Sequence, residues 1–393
     1  MKARTRPSSH RPPTHARSAQ PASGQRSAFT PPYYPSWVDR ITALVDRLPG
    51  PPWGYYAGLG MILLLVTVAA QWTAGTYPFG VISRTHLIGA LLTPYALGMM
   101  HYLDRVAVGA IKSFRPALRG GEAGFQRLAY IFTTLPPRLA LSGGLLITLA
   151  GLALALGAAY LLPMSASVAP FEGGRSPLSV LSRGFVSLFA VGPSPAAYGV
   201  TAALLVLNWW TGGTLVLHTV RRLFLVARIY RRHTNVDLFR QAPLYALSRL
   251  TALTTIGSIL VVYGIATVPS YMATPFGGVT VALIVVLAFA SFALPLVGIH
   301  RALAGKKDHL LEDISDRLRS AGDELHHRID RRAYKGMDEI NKALAGLEIE
   351  RNMIGAMPTW PWQPDTLRTL LIALLLPVAV WVAQVLLQRV LGS

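Results

Sequence analysis

The segment Val279–Ile299 reads VTVALIVVLAFASFALPLVGI, 21 residues without a charged side chain. A helix of that length rises about 30 Å, the thickness of a bilayer's hydrocarbon core. Directly after it comes His300–Ser320, HRALAGKKDHLLEDISDRLRS, where apolar residues recur every three or four positions among charges. The pair predicts a membrane span continuing unbroken into a water-exposed helix.

Six further apolar runs flank this one, bounded by charge or proline: Trp53–Trp72, His86–Asp104, Leu139–Leu162, Ala197–Val220, Leu247–Val268 and Leu367–Leu387. The predicted fold class is therefore an all-α polytopic membrane protein, a seven-transmembrane helix bundle with a helical hairpin between spans six and seven. Composition agrees. Of 393 residues, 52% are apolar and 14% charged, about half the charged share of a soluble domain. A water-soluble enzyme is excluded. The absence of cysteine excludes disulfide frameworks, thiolate metal sites and cysteine nucleophiles.

A net charge of +19 invites a nucleic-acid reading, which the distribution of charge refutes. With the amino terminus inside, 33 of the 37 basic residues fall on the cytoplasmic side, leaving Arg84, Arg175, Arg183 and Arg389 outside. The expected orientation is N-in, C-out. The excess charge faces anionic lipid headgroups, at about 1 kcal/mol for each basic residue near the surface; membrane lipids are the expected partners, with no nucleic acid. The run 177–192 is apolar but short, carries Arg183, and is read as an outside interfacial or re-entrant helix. Counting it as a span would destroy the charge asymmetry.

Residues 1–35 hold six basic residues, no acid and seven prolines, a composition that predicts a disordered cytoplasmic tail. Over 36–49, Trp37, Val38, Ile41, Leu44, Val45 and Leu48 share one helical face opposite Asp39, Arg40, Asp46 and Arg47, predicting an amphipathic helix in the inner interface. Spans one to six occupy 53–300. The segment 301–357 then holds 11 of the 18 acids. Its positions Leu311, Ile314, Leu318, Ala321 and Leu325, and then Met337, Ile340, Leu344 and Leu347, form two seams for an antiparallel cytoplasmic pair with a turn near Asp330–Gly336. Asp313 with Arg317 and Asp338 with Lys342 are expected ion pairs one turn apart. The linker 358–364 contains Pro358, Trp360, Pro361 and Trp362, a stiff elbow suited to coupling the hairpin to the last span, 365–393.

Catalytic signatures are missing: the chain has no P-loop, no His-Glu-x-x-His, no Gly-x-Ser-x-Gly and no EF-hand loop. The protein is read as non-enzymatic, with no catalytic residue, metal or cofactor. His101, His218 and His300 lie toward the cytoplasmic ends of three spans, and only their convergence would revive a metal site and a lipid-active enzyme. Gly143, Gly144, Gly151 and Gly157 read as helix-packing positions. Tyr95 in span two and Asn208, Trp209 and Trp210 in span four combine polar groups with aromatic walls, as a pocket for a small apolar ligand requires. Asn208 is equally suited to tying two helices together. Along the last span Thr366, Thr369, Pro377, Gln384 and Gln388 lie near one stripe and are candidates to line a pore.

Seven spans, an inside amino terminus, a leading amphipathic helix and a final span with a polar stripe resemble the inverted-topology seven-helix superfamily of insect odorant and gustatory receptors. The resemblance is topological, covers nearly the whole chain and transfers no residue. It implies a homo-oligomer, a tetramer in the family's form, with a pocket among spans two to six and a pore along span seven. The expected function is that of a receptor-like protein, in its fullest form a ligand-gated ion channel; the alternative is a scaffold docking a soluble partner on the hairpin. Val236-Asp237-Leu238-Phe239 and Pro358-Thr359-Trp360-Pro361-Trp362 also look like segments of uncharacterised prokaryotic membrane proteins. With 31 Arg against 6 Lys, a GC-rich genome and a prokaryotic inner membrane are expected.

Overall fold

The computed structural model describes residues 30–118, 122–161, 194–232, 238–239, 241–267, 275–362, 365 and 367–373. Among them are nine α-helices and no strand: α1 (Trp37–Arg47), α2 (Pro52–Thr73), α3 (Arg84–Phe114), α4 (Glu122–Thr133), α5 (Pro137–Leu161), α6 (Pro195–Arg232), α7 (Ala242–Ala266), α8 (Pro275–Asp330) and α9 (Met337–Ala356). The tail, the 177–192 segment, Thr366 and the last span beyond Ala373 lie outside the described residues.

Helix starts follow local chemistry. Proline opens α2, α5, α6 and α8, where its missing N–H would have no intrahelical acceptor. Ser36 starts α1 with a reciprocal cap: the Asp39 amide donates to Ser36 Oγ at 3.3 Å, and the Ser36 amide donates to the Asp39 carboxylate at 2.7 Å. The α8–α9 turn uses left-handed backbone at Arg332 (φ 52°) and Gly336 (φ 83°), the latter a conformation glycine adopts without a side-chain clash.

Among the described residues, five helical stretches are long and apolar enough to cross a membrane: Pro52–Thr73, Gly124–Leu156, Pro195–Arg231, Ala242–Ala266 and Ala282–Asp330. Large apolar side chains coat their outer faces, including Met61, Leu65, Leu145, Leu149, Val286 and Phe289. Such a face is stable against lipid rather than water. The protein is built as an integral membrane bundle.

The predicted second span, α3, is long but less apolar. It lies among α2, α6 and α7, and buries Thr93, Pro94, Met100, His101 and Leu103. A helix shielded by its neighbours can carry polar side chains that a lipid-facing helix cannot. Its carboxyl-terminal half, through Leu103, Ile111 and Phe114, joins Ile229, Leu247, Leu296 and Ile299 in the main core.

Besides α3, which runs on past Asp104 to Phe114, two helices outrun the predicted spans. Where the apolar pattern ends at Val220, α6 continues to Arg232, because Leu225, Val226, Ile229 and Tyr230 still face the core. Likewise α8 runs 56 residues without interruption, about 84 Å and far beyond a hydrocarbon core of about 30 Å. Its charged half packs antiparallel on α9, with Ile314 and Ile354 buried between them. The expected Asp338–Lys342 pair is present at 2.6 Å. Asp313 instead faces His309 at 3.5 Å, one turn toward the amino terminus, and not Arg317.

Candidate functional site

A polar layer crosses the bundle where α1 lies against α3 and the segment before it reaches α6. At its centre Arg222, 2% exposed, is the largest fully buried side chain among the described residues. Its Nη2 donates to Asp104 on α3, itself 15% exposed, and also approaches His218 Nε2 at 3.1 Å. A guanidinium has donors only, so His218 accepts through Nε2 and carries its ring proton on Nδ1. Arg222 Nε and Nη1 have no hydrogen-bond partner among the described residues.

The neighbouring Arg221 reaches the other way. It donates to the Tyr33 hydroxyl at 2.6 Å and to the Thr134 carbonyl at 3.0 Å. Tyr33 in turn donates to Thr134 at 2.9 Å, and Tyr130 donates to the Tyr33 carbonyl at 2.5 Å. Asp39 accepts from the Leu135 amide at 3.1 Å. Burial raises the Asp39 carboxyl above the usual carboxylate range, against hydrogen bonds from Ser36 and Leu135 that lower it. The segment before α1 is thereby stitched to the α4–α5 turn and to α6.

At its other end α1 is held by Asp46, which pairs with Arg105 and lies 3.1 Å from His101 Nε2. His101 Nδ1 is 2.9 Å from the Tyr56 hydroxyl on α2. Burial works to raise the Asp46 carboxyl, but Arg105 and His101 outweigh it and hold the group below its ordinary range. With Val38, Thr42 and Val45 buried, α1 is docked on protein. The layer joins the segment before α1, α1, α2, α3, α4, the α4–α5 turn and α6 through hydrogen bonds and ion pairs, and its chemistry is that of a clamp.

The aromatic elbow forms a second assembly. His300 on α8 stacks on Trp360 at 3.8 Å between centroids, Trp360 on Trp362 at 4.4 Å, and Trp362 on Phe292, also on α8, at 5.7 Å. The four rings make a continuous ladder along α8. Polar contacts fasten it: Lys307 Nζ donates to the Gly355 and Met357 carbonyls at 2.6 and 3.0 Å, and Gln241 donates to the Pro358 carbonyl at 2.9 Å. Pro361 is buried beneath.

The residues read as a ligand pocket face three different neighbours. Asn208 accepts from Thr93 at 2.7 Å and donates to the Gly89 carbonyl at 2.8 Å, tying α6 to α3. Trp210 and Trp209 lie over Gly144 and Gly151 of α5, where an added Cβ would collide with the indole rings. Tyr95 donates to the Gly257 carbonyl on α7 at 2.6 Å. Of the candidate pore residues, Thr369 is described, its hydroxyl bonded to the Asp365 carbonyl at 2.8 Å; Thr366, Pro377, Gln384 and Gln388 lie outside the described residues.

His101, His218 and His300 belong to separate contacts, with Asp46, Arg222 and Trp360 respectively. Among the described residues no group of three or more His, Asp or Glu is placed to hold a metal ion. Sequence reasoning missed the Asp104–Arg222 pair by treating Arg221 and Arg222 as loop charges. One signal was available: only seven acids lie outside 301–357, so each acid in the bundle is a candidate partner for a retained arginine. Asp39, Asp46, Asp104 and Glu122 are all engaged.

No protein family, curated protein or solved structure matches the chain.

Proposed function

We propose that this is a non-enzymatic, receptor-like integral membrane protein that couples its membrane bundle to the polar α8–α9 hairpin. The reading takes the bundle as seven spans with α3 as the second, the amino terminus and hairpin cytoplasmic, and the chain as a homo-oligomer in a prokaryotic inner membrane. The observation that carries it is the ring ladder His300–Trp360–Trp362–Phe292, laid on a helix that runs unbroken from membrane to hairpin. A floppy linker would let hairpin and bundle move independently. Stacked rings, three prolines in 358–364 and bonds to α7 and α8 remove that freedom. In its channel form the proposal adds a pore along the last span, for which the polar stripe in the sequence is the support. Ile349 and Met353, exposed one turn apart on α9, favour a second reading in which the hairpin docks a soluble partner.

The coupling is testable by distance measurement. The chain has no cysteine, so spin labels at Glu348→Cys on α9 and Arg249→Cys on α7 report without background. The wild-type chain is expected to give one narrow distance distribution, and Trp360→Ala a broadened one. A distribution unchanged by Trp360→Ala would count against the ladder as the coupling element.

A further inference from the structure

Between α3 and α4 lies an open groove of about 440 Å³, lined by Val108, Ile111, Lys112, Phe125, Gln126, Ala129, Tyr130 and Thr133. Ile111 forms its buried floor, while Val108, Lys112 and Gln126 are exposed at its edges. The lining is almost wholly apolar along its length and cationic at one end. Arg115, close by, is already neutralised by Glu122 and sits over the Phe125 ring at 5.1 Å. Lys112 has no ion-pair partner among the described residues.

We propose that this groove binds one anionic phospholipid, its acyl chain along Val108, Ile111, Phe125 and Ala129 and its phosphate on Lys112. Val108 and Lys112 are one helical turn apart, about 6 Å, so an acyl chain on the apolar lining brings its phosphate within reach of the lysine. Charge favours this occupant. A free lysine at the end of an apolar slot complements a phosphodiester whose net charge is negative, and gains less from a zwitterionic headgroup.

The test is native mass spectrometry of the full chain in non-denaturing detergent, titrated separately with dioleoyl phosphatidylglycerol and dioleoyl phosphatidylcholine. One phosphatidylglycerol is expected to be retained in preference to phosphatidylcholine. Lys112→Gln weakens phosphatidylglycerol about fivefold, the scale of one basic residue near an anionic surface, and leaves phosphatidylcholine unchanged. Val108→Trp, at an exposed edge, fills the slot and removes the bound lipid. Arg127→Gln, on α4 but outside the lining, keeps wild-type preference. Equal retention of the two lipids overturns the proposal, as does undiminished phosphatidylglycerol binding in Val108→Trp. Should Val108→Trp fail to fold, Lys112→Gln decides alone: an unchanged preference overturns the assignment.

Discussion

Replacing Asp104 with leucine is expected to destabilise the bundle by about 3 to 5 kcal/mol, the usual penalty for leaving one member of a buried ion pair without its partner. Arg222 is 2% exposed and has no second acid among its contacts. It also holds two N–H donors without acceptors, so removal of Asp104 leaves the buried charge with neutral His218 as its one acceptor among the described residues. The effect comes from the charge left behind and is therefore reversible by removing that charge. Asp104→Leu with Arg222→Met replaces the pair by apolar groups of similar length, and such replacements are neutral or stabilise by about 1 to 4 kcal/mol relative to the original pair. The double variant is expected to unfold near or above the wild-type midpoint. Reversible unfolding in mixed detergent and SDS micelles, followed by circular dichroism, reads both. A single variant with the wild-type midpoint, or a double variant no better than the single, would remove the pair from its place at the centre of the clamp.

The second large effect separates two adjacent glycines on α6. A Cβ on Gly213 would run into the carbonyl of Gly143 on α5 and come within 2.8 Å of Ile147 Cβ. Two backbones in contact cannot give way as a side-chain tip can, so α5 and α6 must part. Gly213→Ala is expected to lose about 1 to 3 kcal/mol, as overpacked interiors do. Gly212 meets nothing within 4 Å. There the same substitution keeps only the gain in helix propensity, about 0.5 to 1 kcal/mol. Neighbouring positions should therefore shift the unfolding midpoint in opposite directions. A like response from both would mean that α5 and α6 do not meet at Gly143.

These two sites differ in how far they were readable from sequence. Small residues in an apolar run have few uses other than close helix approach, so Gly143, Gly144 and Gly151 announced a contact, although not its partners Gly213, Trp210 and Trp209. The long α8 was readable for a related reason: charge appears after Ile299 without any breaker, so nothing stops the helix. The Asp104–Arg222 pair was not readable, because its members are 118 residues apart and each, taken alone, resembles an ordinary charge at a helix end. Membrane-boundary reasoning sorts charges by side and cannot see that α6 stays helical and buried past Val220. The amphipathic pattern of α1 showed which face is apolar. That its acids Asp39 and Asp46 point to Leu135, His101 and Arg105 is a matter of tertiary packing. Asn208 was read two ways, and its partners Thr93 and Gly89 make it a tie between α6 and α3.

The proposed function places the α1 clamp, the elbow and the hairpin on one face of a membrane bundle and the α2–α3 turn on the other. Impermeant maleimide labelling tests it most directly, since a chain without cysteine gives no background. Phe79, in the α2–α3 turn, is 88% exposed, and Glu348 on α9 is exposed as well. In intact cells Phe79→Cys is expected to label at once, and Glu348→Cys only after the membrane is permeabilised. Labelling of both from the same side would contradict the arrangement.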